Sequence, residues 1–205
     1  MPRCEEVLKQ ISAWLQQGDI NAENLVDFPW EVNREEKSLK AIYPRFPIEI
    51  NITCEESIGF IRLSTTLDAE TFTLSKDDKL LIYYKFLRRN NAPLVKYALK
   101  GDEAFPVLMV DLSIKTLGKE EFNDALALLL GAVNDVINLL GLEEYFKEKM
   151  FTTLLSLVAK HVEEGWGRDK IYDYLTSYVG LSKEEAREIV SSMFKQAGGK
   201  PSPYV

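Results

Sequence analysis

From Arg3 to about Gln17 the apolar positions Val7, Ile11, Trp14 and Leu15 recur at helical spacing, and Gly18 follows as a natural stop. This predicts an amphipathic first helix. Beyond a polar stretch with Asn21, Asn24 and Asp27 the period changes to two, through Trp30 and Val32, Leu39 and Ile42, Ile48, Ile50 and Ile52, then Ile58, Phe60, Ile61 and Leu63. Three or four strands are expected there, with turns at Glu35-Glu36 and Glu55-Glu56-Ser57.

Ser75 with Asp78 three residues on resembles a capping box and opens a helix carrying Leu80, Leu81, Tyr84, Leu87 and Arg88. Asn90-Asn91 supplies residues that tolerate left-handed backbone angles, and Ala92-Pro93 keeps the helix from continuing. A hairpin follows, from Leu94 to Leu99 and from Phe105 to Ile114 around Gly101-Asp102-Glu103. A long helix from about Lys119 to Leu140 carries Phe122, Leu126, Leu129, Val133, Val136 and Ile137, with Gly141 as its C-cap.

After Gly141 the strand signal is gone. Helical patterns run over Leu142–Val162, Arg168–Tyr178 and Ser182–Gln196, the last opened by the capping box Ser182/Glu185. The predicted architecture is therefore α+β: an antiparallel sheet with packed helices over residues 1–141, a small all-helical domain over 142–197, and a frayed tail over 198–205.

The stretch KLLIYYKFLRRNNAPLVKYALKGDEAFPVLMVDLS (residues 79–113), with Leu87, Asn91, the two hairpin strands and Glu120-Glu121-Phe122, resembles the YbjN-like proteins and the class I type III secretion chaperones that share their fold. The resemblance covers roughly residues 3 to 140 and implies a domain that holds another polypeptide, often as a homodimer, and performs no reaction. The helical extension after Gly141 departs from that pattern.

The 205 residues carry a net charge of −7, spread as −3 over residues 1–40, −3 over 41–141 and −1 over 142–205. An acidic chain without a basic block is a poor general binder of nucleic acid. The local run Lys85, Arg88, Arg89, Lys96 and Lys100 reads as a solvated face. Between Ser182 and Gln196 three cations meet three carboxylates, whereas a DNA-recognition helix is richer in base. Nucleic acid is an unfavoured partner.

The longest apolar run, Ala125 to Val133, has nine residues against the roughly 20 a membrane-spanning helix needs, so no membrane partner is expected. The start lacks a signal-peptide layout, which points to a cytoplasmic protein. Few glutamines with abundant Lys and Glu fit a thermophile.

Chemistry-bearing constellations are sparse. Cys4 and Cys54 are the only cysteines and have no ligand-spaced neighbours; Cys54 continues the Ile48–Ile52 alternation as a small buried hydrophobe, and Cys4 sits near a helix start. The single histidine, His161, shares a face with Leu154, Leu157 and Val158 and reads as structural. The pairs Asp77-Asp78, Glu120-Glu121, Glu143-Glu144 and Glu184-Glu185 stand in first helical turns, where negative charge offsets the helix dipole. No GxGxxG or GxxxxGK[ST] occurs. The expectation is a non-catalytic, chaperone- or adaptor-like protein without cofactor or metal, binding a protein or peptide client as a homodimer. Trp166, set between Gly165 and Gly167, together with Trp30 and Phe60, are its candidate contact residues, alongside exposed sides of the Lys119–Leu140 helix. The alternative is a transcription regulator using the C-terminal helices.

Overall fold

The computed structural model describes residues 4–197; the tail expected over 198–205 lies outside them. The order is α1 (Cys4–Gln16), a 3₁₀ turn (Leu25–Asp27), β1 (Glu31–Arg34), β2 (Ser38–Tyr43), β3 (Phe46–Glu55), β4 (Phe60–Thr66), α2 (Lys76–Arg89), β5 (Val95–Lys100), β6 (Phe105–Ser113), α3 (Lys119–Leu140), α4 (Glu143–Glu163), α5 (Arg168–Asp173), a π-helical turn (Tyr174–Val179) and α6 (Lys183–Ala197). Backbone contacts divide the chain into two units. One runs to Tyr43 and resumes from Ile48 to Phe146; the other takes Lys147 onward with Pro44–Pro47.

In the first unit six strands form an antiparallel sheet in the order β1-β2-β3-β4-β6-β5, as the period-two runs predict. Alternation decides which side is dry: Ile48, Ile50 and Ile52 on β3, Ile61 and Leu63 on β4, and Leu108, Val110 and Leu112 on β6 are buried. Onto that side α3 lays Phe122, Leu126, Leu129, Val133 and Val136, and α1 lays Val7, Leu8, Ile11 and Leu15. Each such side chain contributes roughly 1.5–3 kcal/mol by leaving water. By length and composition α3 is apolar enough to cross a bilayer, but its apolar stripe is spent on this core. Gly141 ends it in the left-handed conformation expected of a C-cap, at φ 64°. Gly18 is required for a different reason: a Cβ there would lie 2.0 Å from the Asp27 carbonyl oxygen.

Three expectations are corrected here. Trp30 is only 4% exposed, its indole N–H donates to the Leu25 carbonyl at 2.8 Å, and its ring centroid lies 5.0 Å from that of Tyr43, so it is a core residue with no surface to offer. The cysteines are not independent, because Cys4 and Cys54 form a disulfide that ties the first turn of α1 to the end of β3. Asn90 is not left-handed either, with φ −65°; the left-handed residue is Leu94, at φ 68°. The Asn90 amide has another task. Its Oδ1 accepts from Tyr97 N–H at 2.7 Å and its Nδ2 donates to the Tyr97 carbonyl at 3.1 Å, so one side chain stands in for a neighbouring strand on the outer edge of β5.

On the side of the sheet away from the helices, Asp111 of β6 accepts from both arms of Arg62 on β4, at 2.6 and 2.9 Å, and from Lys96 on β5 at 2.5 Å. Two of the five cations in the run around Lys85–Lys100 carry ion pairs: Lys96, while remaining exposed as expected of a solvated face, pairs with Asp111, and the half-buried Arg89 makes a two-pronged bond to Asp135 of α3.

The second unit is helical. Leu154 and Val158 of α4, Ile171 of α5, Tyr174 and Leu175 of the π-helical turn, and Ala186 and Ile189 of α6 form its core. His161 is buried among them, as its spacing predicts, and stacks on Trp166 at 4.0 Å between ring centroids. The helix expected over Arg168–Tyr178 widens after Asp173 into a π-helical turn that Gly180, at φ 84°, brings to an end.

Two outcomes follow from these ties. The disulfide closes a span of 50 residues, so replacing both cysteines with serine, or adding reductant, should lower unfolding stability by about 4 kcal/mol in guanidinium titrations. The Arg62 guanidinium, with Lys96, holds the Asp111 carboxyl down at about 2, below the ordinary carboxylate range. A depressed carboxylate adds stability above its unfolded value and loses it as pH falls. Asp111→Asn should therefore cost about 1 kcal/mol at pH 7, a figure discounted for the partly exposed cations, and the gap from the parent protein should close between about pH 4 and pH 2 in thermal melts.

Candidate protein-docking face

Ser75 starts α2 by accepting from Asp78 N–H at 3.2 Å while its hydroxyl donates to the Asp78 carboxylate at 2.6 Å. Asp77 and Asp78 sit in the first turn and Arg88 and Arg89 in the last, each favourable toward the helix dipole. Only Ile82 and Phe86 of this helix are buried, Phe86 packing against Tyr97 at 5.7 Å between centroids. The Arg89–Asp135 pair adds a tie to α3 and holds the Asp135 carboxyl below its usual range.

The apolar residues that the sequence places on this helix are mostly on its other sides. Leu80 is 56% exposed, Leu81 50%, Tyr84 57% and Leu87 70%. At about 100° per residue, Leu80, Tyr84 and Leu87 lie opposite Ile82 and Phe86, so α2 is apolar on two faces and covered on one. A periodicity reading cannot assign which of two apolar stripes faces the core. The signal was present as an excess: too many large apolar residues in 14 positions for one buried face.

Beside α2 a cavity of about 440 Å³ opens, floored by Leu74, Leu81, Ile82, Leu139, Leu140 and Leu142. Its remaining wall carries three carboxylates, Asp68, Glu70 and Asp78, against one ammonium, Lys85. A second apolar patch lies across the sheet from the helices, where Ile58, Phe60 and the left-handed Leu94 surround Met109.

Of the candidate contact residues, Phe60 is 39% exposed and belongs to this patch, whereas Trp30 is internal. Trp166, in the other unit, is half-buried: one face of its indole lies on His161 and the ammonium of Lys170 sits 3.7 Å from its centroid. It closes the helical core. The exposed sides of α3 offer one large apolar residue, Leu128. In the second unit Arg168, Tyr172, Arg187 and Ser191 line a shallow groove with Asp169. Among the described residues no group of three or more His, Cys, Asp or Glu side chains could hold a metal ion.

Among curated proteins, none matches the chain. Residues 141–205 match the family profile HTH_78, described as a domain of unknown function. Residues 10–140, nearly two thirds of the chain and the whole of the sheet with α2 and α3, match a domain of unknown function, DUF8183, and the chain belongs to that family.

Proposed function

We propose that the chain is a non-catalytic protein-binding module, of chaperone or adaptor kind, whose cavity beside α2 receives an apolar segment of another polypeptide flanked by lysine or arginine. The observation that carries this reading is the cavity itself, an aliphatic floor open at the surface under a wall with three carboxylates and one cation. Apolar side chains entering it leave water at about 25 cal/mol per Å². The carboxylates favour a cationic flank and speed its approach. The order of helix, strands, helix, hairpin and long helix also supports the resemblance to secretion chaperones. The Lys- and Glu-rich composition and the disulfide fit a cytoplasmic protein of a thermophile, where such bonds persist.

A peptide array probed with the full-length protein tests the reading. Apolar segments flanked by Lys or Arg should bind, Leu81→Asp should weaken the best of them at least tenfold, and Glu70→Lys should shift the preference toward acidic flanks. Selection of acidic flanks by the parent protein, or binding indifferent to Leu81→Asp, would contradict it.

A second reading, a transcription regulator using α5 and α6, draws on the helix–turn–helix name of the profile matched by residues 141–205. Arg168 and Arg187 are the cations it would place on phosphates, but α6 exposes Glu184 and Glu188 beside Arg187. Fluorescence anisotropy with labelled duplex DNA separates the two. The DNA reading requires binding that falls by orders of magnitude between about 50 and 200 mM salt, whereas the protein-binding reading expects none at either concentration.

A further inference from the structure

After Pro93 the chain turns within three residues, the Val95 N–H donating to the Pro93 carbonyl at 2.8 Å, and Leu94 at the centre takes φ 68°. Glycine adopts that angle freely; a leucine there is strained, and its side chain is left 49% exposed on the outer face of the sheet. Ile58, 63% exposed, holds the corresponding place in the turn before β4. Because β4 and β5 flank β6, the two side chains stand on either side of it. Between them lies a recess of about 760 Å³ lined by Phe60, Ala92, Ala98 and Met109.

The polar members of this recess are not balanced. Asp111 takes both arms of Arg62 and the ammonium of Lys96, so two cations share one carboxylate. Asp111 is 14% exposed, whereas Lys96 is 55% exposed and spends one of its three N–H groups on that pair. Glu55, whose charge also reaches Arg62, belongs to β3, three strand spacings or about 14 Å from β5 and outside the screening length of physiological salt. Positive charge is therefore left over at the β5 end of an apolar recess.

We infer that the recess binds a free long-chain fatty acid, its carboxylate on the ammonium of Lys96 and its hydrocarbon chain along Met109 and Phe60 between Leu94 and Ile58. A polypeptide suits the place less. β4 and β6 are paired on both sides and the Asn90 amide takes both backbone groups of Tyr97, so a peptide laid here would leave water with its own N–H and C=O groups unmatched. A hydrocarbon chain has none to match, and a concave recess takes one chain rather than the face of a bilayer. The recess lies across the sheet from the cavity beside α2, so the inference stands whether or not that cavity receives peptides.

Titration of the full-length protein with sodium dodecanoate, followed by methyl NMR, tests the inference. One dodecanoate should bind per chain and shift the methyl resonances of Ile58, Leu94 and Met109. Dodecanol should bind at least tenfold more weakly, and dodecyltrimethylammonium more weakly still. Lys96→Met should weaken dodecanoate at least tenfold and leave dodecanol unchanged. Leu94→Gly relieves the left-handed backbone and so keeps the fold, yet removes one wall, and should weaken both. Leu81→Asp should change neither. Equal affinity for the three amphiphiles, no binding of dodecanoate, or binding indifferent to Lys96→Met would overturn the inference. Shifts confined to the methyls beside α2 would overturn it too, as would adsorption to phosphatidylglycerol vesicles by a chain that ignores the free acid.

Discussion

α2 is fixed to its unit by little: two buried side chains, Ile82 and Phe86, and the ion pair from Arg89 to Asp135. Everything else apolar on that helix faces outward or borders the cavity. A helix of 14 residues carries too little propensity to hold itself without packing, so what covers it matters as much as what it covers. The functional reading descends from the cavity beside this helix, because covering Leu74, Leu81, Leu139, Leu140 and Leu142 is worth several times the net contribution of a surface ion pair.

The rest of the first unit is built to be rigid around that helix. α3 and α1 cover one side of the sheet with aliphatic and aromatic side chains, while Arg62, Asp111 and Lys96 lash three neighbouring strands on the other. The disulfide from Cys4 to Cys54 holds the start of α1, and the Asn90 amide closes the edge of β5 against strand addition.

Much of this was legible in the residues. Period two gave the strands, the Ser75 and Ser182 caps marked two helix starts, and Gly141 stands where a left-handed C-cap was required. What stayed hidden depends on tertiary placement. Nothing in a separation of 50 residues says that Cys4 meets Cys54, and Asn90 beside Asn91 suggests a turn until Tyr97 is seen across from it. Trp30 looked like a contact residue because large aromatics suit both cores and interfaces; the Leu25 carbonyl and the Tyr43 ring decide for the core. α2 was the hardest case, since its two apolar stripes are equivalent in sequence and only the sheet breaks the tie.

The central claim is that the cavity beside α2 receives an apolar segment of another polypeptide. Amide hydrogen exchange across Lys76–Arg89, followed as a saturating excess of the best-bound peptide is added, reads that cover directly. The account predicts that these amides exchange more slowly with the peptide present while those of β4 and β6 are unchanged. Exchange in α2 that is the same with and without peptide would contradict it.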